Sequence, residues 1–230
     1  MLEKLKEAVY QANLELNFRK LVVYTWGNAS GIDRERGLVV IKPSGVTYED
    51  LGPEMMVVVT IDGIIVEGQL NPSSDTPTHL YLYRNFLDVG GVVHTHSAAA
   101  TAWAQAQTAI PCLGTTHADY FYGAIPCTRT LTAAEISDDY EWNTGKVIVE
   151  HFAALDYKAV PGVLVANHAP FTWGKDVATA VHNSVVLEEV AKMALATKQV
   201  NPAYSRVSQT LMDKHYMRKH GQNAYYGQGR

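Results

Sequence analysis

The chain has 230 residues, long enough for one large hydrophobic core, and 47% hydrophobic against 18% charged residues excludes a disordered chain. A net charge of -4 without a Lys/Arg cluster leaves no electrostatic footprint for nucleic acid, and no stretch approaches the ~20 apolar residues of a membrane span. The first residues mix acid and base with no long apolar run, so no signal peptide is expected and the protein is read as cytoplasmic. Cys112 and Cys127 each follow a proline, match neither CxxC nor a zinc-finger spacing, and are read as structural thiols.

Leu2, Leu5, Val9, Ala12 and Leu16 recur at threes and fours, which predicts an N-terminal helix. Strands are predicted at 21–26, 38–42, 55–61 and 64–66, with Asp62-Gly63 as a two-residue hairpin turn. Ser74-Asp75-Thr76-Pro77 combines capping residues with a first-turn proline and predicts a helix start, the helix running through Leu80, Tyr83 and Leu87. A strand over 92–96 leads into an Ala-rich helix over 98–105, and a strand over 163–166 ends at Asn167-His168. Two helices close the chain, one carrying Val177, Val181, Val185, Leu187, Ala191 and Leu195 on one arc, the other over 204–220. Short, hairpin-joined strands between terminal helices, with no repeat, linker or GxGxxG, predict one layered α/β domain over 1–230 rather than a doubly wound parallel sheet.

His94-Thr95-His96 ends an apolar strand. Residues i and i+2 of a strand share a face, so two imidazoles stand side by side, an arrangement that presents a transition metal, usually zinc. A catalytic zinc needs a third ligand and an open position, and His168, just past a buried-looking strand, is the best candidate. Asp75 is a candidate acid near that site, although an aspartate before Thr-Pro is also a routine helix cap. Gly27-Asn28, Ser44-Gly45 and Ser73-Ser74 form three small polar corners whose backbone N–H groups and hydroxyls suit a phosphate, with Lys42 as a cationic partner. A third set offers proton transfer: the polar knot Thr116-His117-Ala118-Asp119-Tyr120, then His215 and the pair Tyr225-Tyr226.

Thr25-Trp26-Gly27-Asn28, Lys42-Pro43-Ser44-Gly45, the run Pro72 to His79 and His94-Thr95-His96-Ser97 resemble, in that order, the class II aldolase family. With Gly114 to Phe121, Asp213-Lys214-His215-Tyr216 and Ala224-Tyr225-Tyr226-Gly227-Gln228, the likeness covers nearly the whole chain and is to the L-ribulose-5-phosphate 4-epimerase branch. The resemblance implies a single three-layered α/β domain, a central and largely antiparallel sheet flanked by helices. It implies one Zn2+ per subunit held by Asp75, His94, His96 and His168, with Mn2+ or Co2+ as alternative ions. It implies a sugar phosphate held by Gly27, Asn28, Lys42, Ser44, Gly45, Ser73, Ser74, Thr115 and Thr116, and Asp119 and Tyr226 as the acid/base pair beside His215. It also implies a homotetramer whose active sites lie between subunits, with Asp119, His215 and Tyr226 supplied by the neighbour, and no nucleic-acid or membrane partner.

The implied activity is epimerisation at C4 of L-ribulose 5-phosphate by retro-aldol cleavage, rotation of the aldehyde and re-addition, a reaction that serves arabinose and ascorbate catabolism alike. The alternatives are a class II aldolase of the fuculose- or rhamnulose-phosphate type and a non-catalytic scaffold of the same fold. The aldolases usually carry glutamate in the metal region, so Asp75 in a Ser-Ser-Asp context favours the epimerase branch. One departure concerns the third histidine: the family usually has glycine after it, where this chain has Ala169 preceded by Asn167, and a positive φ at 169 would strain the alanine.

Overall fold

The structure, a computed structural model, describes residues 2–222, 224, 225 and 227. Its helices are α1 (Glu3–Phe18), α2 (Thr76–Asn85), α3 (Ala98–Gln105), α4 (Thr115–Ala118), α5 (Ala133–Ser137), α6 (Tyr140–His151), α7 (Val177–Val200) and α8 (Gln209–His220). Its strands are β1 (Asn28–Asp33), β2 (Leu38–Ile41), β3 (Val57–Thr60), β4 (Ile65–Glu67), β5 (Gly91–His94), β6 (Gly162–Leu164) and β7 (Pro170–Gly174). The strands form one sheet in the order β4-β3-β2-β1-β5-β7-β6, and every pairing between them is antiparallel.

Side chains alternate across this sheet with period two. Val39, Ile41, Val57, Val59 and Val92 fall in one hydrophobic cluster, whereas Val40, Val58 and Val93 fall in the other. The first face is covered by α2, α3, α6 and the C-terminal half of α7, through Leu80, Trp103, Ile148 and Val190. The second is covered by α1 and the N-terminal half of α7, through Val9, Leu16, Val177 and Val181. The result is the three-layered α/β arrangement expected from the resemblance.

The predicted strand over 21–26 does not form. Leu21 and Val22 are buried beneath α1, but Tyr24 and Gly27 take positive φ (56° and 73°) and turn the chain. The strand begins at Asn28 instead, so the Gly27-Asn28 corner opens β1 rather than following a strand. β1 reads Asn-Ala-Ser-Gly-Ile-Asp and lacks the β-branched alternation that marks a strand in sequence. Its ladder partners on both sides, β2 and β5, hold it extended. Gly31 lets α1 approach closely: a Cβ there would lie 2.9 Å from Leu5 Cδ1. Buried Asn13 of α1 completes the junction, accepting the Ala29 N–H at 2.9 Å and donating to the Ala29 carbonyl at 3.2 Å. The last helix also starts later than predicted, at Gln209, where the Ser208 hydroxyl accepts the Leu211 N–H. Among the described residues, no helix is long and apolar enough to cross a membrane.

Candidate active site

β5 ends at His94, between β1 and β7 at the centre of the sheet. The His94 ring stacks on Phe171, with centroids 4.2 Å apart, and its Nδ1 lies 3.0 Å from the Pro170 carbonyl. A proton on Nδ1 donates there and leaves Nε2 as a bare lone pair. That Nε2 sits 3.1 Å from His96 Nε2. His168 arrives from the turn joining β6 to β7, closed by Val165 N–H on the Ala169 carbonyl at 3.0 Å. Asn167 takes the left-handed conformation in this turn (φ 61°), while Ala169 is buried with φ outside the positive region. The strain anticipated at residue 169 is therefore absent, and the unusual conformation falls on an asparagine, which tolerates it.

One imidazole nitrogen from each of His94, His96 and His168 lies within 4.8 Å of the others. Burial pushes His94 and His168 down to about 3, helped by their histidine neighbours, and burial also lowers His96 against the pull of Asp75. All three are neutral at pH 7, the form that offers a lone pair to a metal ion. Asp75 occupies the N-cap position of α2 but makes no side-chain cap. Its carboxylate accepts from Asn28 Nδ2 at 2.7 Å and faces the cleft above the histidines.

The cleft has a volume of about 610 Å³ and brings Gly27, Asn28, Lys42, Ser44, Gly45, Ser73 and Ser74 onto the same walls as Asp75, His94, His96 and His168. Two loops are paired to make this corner: Ser44 N–H donates to the Asn71 carbonyl at 2.9 Å, and Ser73 N–H to the Lys42 carbonyl at 3.0 Å. Gly27 is required sterically as well as conformationally, because a Cβ there would meet Val22 Cγ1 at 2.7 Å and the His94 carbonyl oxygen at 2.8 Å. Lys42 lines the cleft, but its ammonium donates to the Val46 carbonyl at 2.6 Å and lies 5.0 Å from the Tyr48 ring centre. Burial pushes it down to about 8. Its side chain thus braces the Ser44-Gly45 loop from behind.

Tyr140 and Glu141, in the first turn of α6, also line the cleft, and the Tyr140 hydroxyl is 3.4 Å from His168 Nδ1. Sequence reasoning missed both residues together with their helix. Asp138-Asp139 ahead of an amphipathic stretch was the available signal.

Among the described residues, Asp119 and His215 of the proton-transfer set do not line the cleft. Asp119 caps the C-terminus of α4 and is held by α8: His215 Nδ1 at 3.0 Å, Arg218 Nε and Nη2 at 2.9 and 2.6 Å, and Lys219 Nζ at 3.8 Å. Burial opposes the Asp119 charge, but hydrogen bonds from Arg218 and His215 and the charges of Lys219 and Arg218 outweigh it and hold the carboxyl below its ordinary range. Thr115 and Thr116 open α4 and do not line the cleft either; Thr116 borders a separate cavity with Leu113 and Met193. Tyr226 lies outside the described residues.

The profile of the family described as Class II Aldolase and Adducin N-terminal domain matches residues 7–195. The L-ribulose-5-phosphate 4-epimerase UlaF of Salmonella paratyphi B (strain ATCC BAA-1250 / SPB7) is 59% identical to this chain over 227 residues, covering 99% of the chain and 100% of the relative. The enzyme of the same name from Salmonella choleraesuis (strain SC-B67) is 60% identical over the same coverage. Among solved structures, an L-fuculose 1-phosphate aldolase matches with a TM-score of 0.78 at 24% identity, covering 92% of this chain and 94% of that one. The L-fuculose 1-phosphate aldolase from Glaciozyma antarctica PI12 matches with a TM-score of 0.79 at 14% identity, over 97% and 85%. These two likenesses concern the fold. With a family profile spanning most of its length and relatives near 60% identity, the chain belongs to the class II aldolase and adducin N-terminal domain family.

Proposed function

We propose that the chain is a metal-dependent epimerase that interconverts L-ribulose 5-phosphate and D-xylulose 5-phosphate. The observation that carries this reading is the convergence of three neutral imidazoles on the floor of a cleft whose walls are three small-residue corners suited to a phosphate. The names of the relatives near 60% identity supply the substrate.

The donor set fits a borderline ion, zinc first and Mn2+ or Co2+ as alternatives. His94, His96 and His168 would hold it, and Asp75 would add the anionic ligand. When bound, the ion supplies Lewis-acid stabilisation of negative charge on oxygen.

Direct deprotonation at C4 is unfavourable because that C–H is not adjacent to the carbonyl. Cleavage of C3–C4 avoids the problem. A base removes the C4 hydroxyl proton, the C4–O bond becomes a carbonyl, and the C3–C4 electron pair passes into the three-carbon fragment. The fragments are the enediolate of dihydroxyacetone and glycolaldehyde phosphate. If the aldehyde turns to present its other face before the bond re-forms, C4 is inverted and no atom is gained or lost.

Gly27, Asn28, Ser44, Gly45, Ser73 and Ser74 would grip the phosphate and keep the aldehyde from leaving. Two proton-transfer groups are needed, one for each orientation of the C4 oxygen. Asp119 and Tyr226 of a neighbouring subunit, with His215, would supply them, and Thr115 and Thr116 would reach the substrate from the same neighbour. The functional form would accordingly be a homotetramer.

The test pairs a product assay with metal analysis. L-ribulose 5-phosphate should yield D-xylulose 5-phosphate, turnover should vanish on chelation, and added zinc should restore it. Full activity in metal-free protein would refute the reading, and release of free cleavage products would assign the chain as an aldolase.

A further inference from the structure

The three histidines are not held equally. His94 is fixed by the Pro170 carbonyl and the Phe171 ring, and His168 sits beside the Tyr140 hydroxyl. Among the described residues, His96 has no hydrogen-bond partner except His94, and it is the most exposed of the three. Apart from an edge-on contact with the Trp26 ring, centroids 6.3 Å apart, its place comes from the chain on either side: β5 ends two residues before it, at His94, and α3 begins two residues after it, at Ala98.

The start of α3 is held in an unusual way. Ser97 is the N-cap by position, yet its hydroxyl makes no cap bond and is buried without a partner. The carboxylate of Glu188, from the middle of α7, takes over that task. Its Oε1 accepts the Ala99 N–H at 3.1 Å and its Oε2 accepts the Ala100 N–H at 2.9 Å. Glu188 is 2% exposed, and its nearest cation is Lys192, with Nζ at 3.6 Å. A buried carboxylate is costly unless it is paired or hydrogen-bonded. Here two orphan amides and the positive end of a helix satisfy it. Because α7 is itself packed on β5 and β7, Glu188 ties the C-terminal anchor of the His96 segment to the sheet that carries the N-terminal one.

We infer that Glu188 is a positioning residue for the metal centre: by clamping the first turn of α3 it fixes the backbone that presents His96. The inference rests on the metal-centre reading above. Loss of the clamp leaves two buried N–H groups unpaired and lets the Thr95–Ser97 link drift, so the ligand that depends on that link loses its aim. Outer groups that orient metal ligands typically carry 10–100-fold of metal affinity.

The experiment titrates Zn2+ into the metal-free full chain against a chromophoric chelator, for wild type, Glu188→Gln and Glu188→Asp, with Asp176→Ala as control. Asp176 caps the start of α7 through the Thr179 N–H at 2.7 Å, lies outside the cleft lining and makes no bond to α3, so its loss reports helix-cap stability without touching the clamp. Glu188→Gln is expected to bind zinc at least about 10-fold more weakly, and Glu188→Asp, which keeps the charge on a shorter arm, to fall between it and wild type. Asp176→Ala should lower the melting temperature while leaving zinc affinity within about twofold, well below that window. Zinc affinity in Glu188→Gln equal to wild type, with the melting temperature lowered, would overturn the positioning role. Absence of zinc binding in wild type would instead overturn the metal centre itself, so the two failures are distinguishable. The visible spectrum of the Co2+-loaded proteins gives a second readout: an altered ligand field in Glu188→Asp is expected, and an unchanged one would contradict the inference.

Discussion

Gly27 concentrates several demands in one position. Its φ of 73° turns the chain into β1, and its missing Cβ makes room for Val22 and the His94 carbonyl. Gly27→Ala would combine left-handed strain with a clash against backbone, each about 1–3 kcal/mol, and should lower both the melting temperature and the affinity for substrate phosphate. Thermal denaturation and inorganic phosphate competition would check it. At the other end of the chemistry, Tyr226→Phe is expected to leave metal content intact while slowing turnover roughly 10²-fold, the range for losing a general acid or base. Residue-level features were legible where they depend on local periodicity. His94 and His96 could be paired from a strand two residues apart, and His168 from its place at a strand end. Tyr140 and Glu141 could not, because they reach the cleft only through the way α6 crosses the molecule.

At the scale of elements, α6 meets α2 across Gly145. A Cβ there would lie 2.6 Å from Tyr81 Cβ and 3.2 Å from the Thr78 carbonyl oxygen. Glycine to alanine in a helix ordinarily gains about 1 kcal/mol, but overpacking against an atom fixed to the backbone costs about 1–3 kcal/mol. Gly145→Ala should therefore destabilise, and because α6 carries Tyr140 and Glu141 it should also raise KM; a melting curve and steady-state kinetics decide. α8 offers a pH-dependent element. Asp119, ordinarily titrating near ~3.9, is held lower by Arg218, His215 and Lys219. A depressed carboxylate contributes its full stabilisation above the unfolded value and loses it as pH falls through the folded one. Hydrogen exchange of α8 amides should thus accelerate below about pH 4 ahead of those of β5. Exchange that rises together in both would contradict a separate α8 clamp. Helices and hairpins with their own turn chemistry were readable from sequence, as α1, α3 and the hairpin around Asp62-Gly63 illustrate, although that loop is longer than the expected two residues and is closed by Thr60 N–H on the Ile64 carbonyl at 2.8 Å. β1 was not, since its extended form comes from neighbours on both sides rather than from its own residues, and the apolar 21–26 segment reads as a strand because burial beneath a helix has the same composition.

For the whole molecule, the cleft and the Asp119 cluster lie apart within one chain, and the proposed tetramer joins them across subunits. His94→Ala and Asp119→Asn variants, each inactive alone, should regain up to about a quarter of wild-type activity when mixed as subunits, because random mixing builds that share of intact interfaces. No recovery on mixing would place each site within a single chain. The three-layered architecture followed from composition, hairpin signals and resemblance together, whereas the subunit arrangement had no local signature beyond the resemblance. The most direct measurement is turnover of L-ribulose 5-phosphate in D2O by the zinc-loaded protein, followed by NMR of the products. Cleavage and re-formation of C3–C4 never breaks the C4–H bond, so the predicted result is D-xylulose 5-phosphate with protium at C4. Deuterium at C4, or glycolaldehyde phosphate accumulating without D-xylulose 5-phosphate, would contradict it.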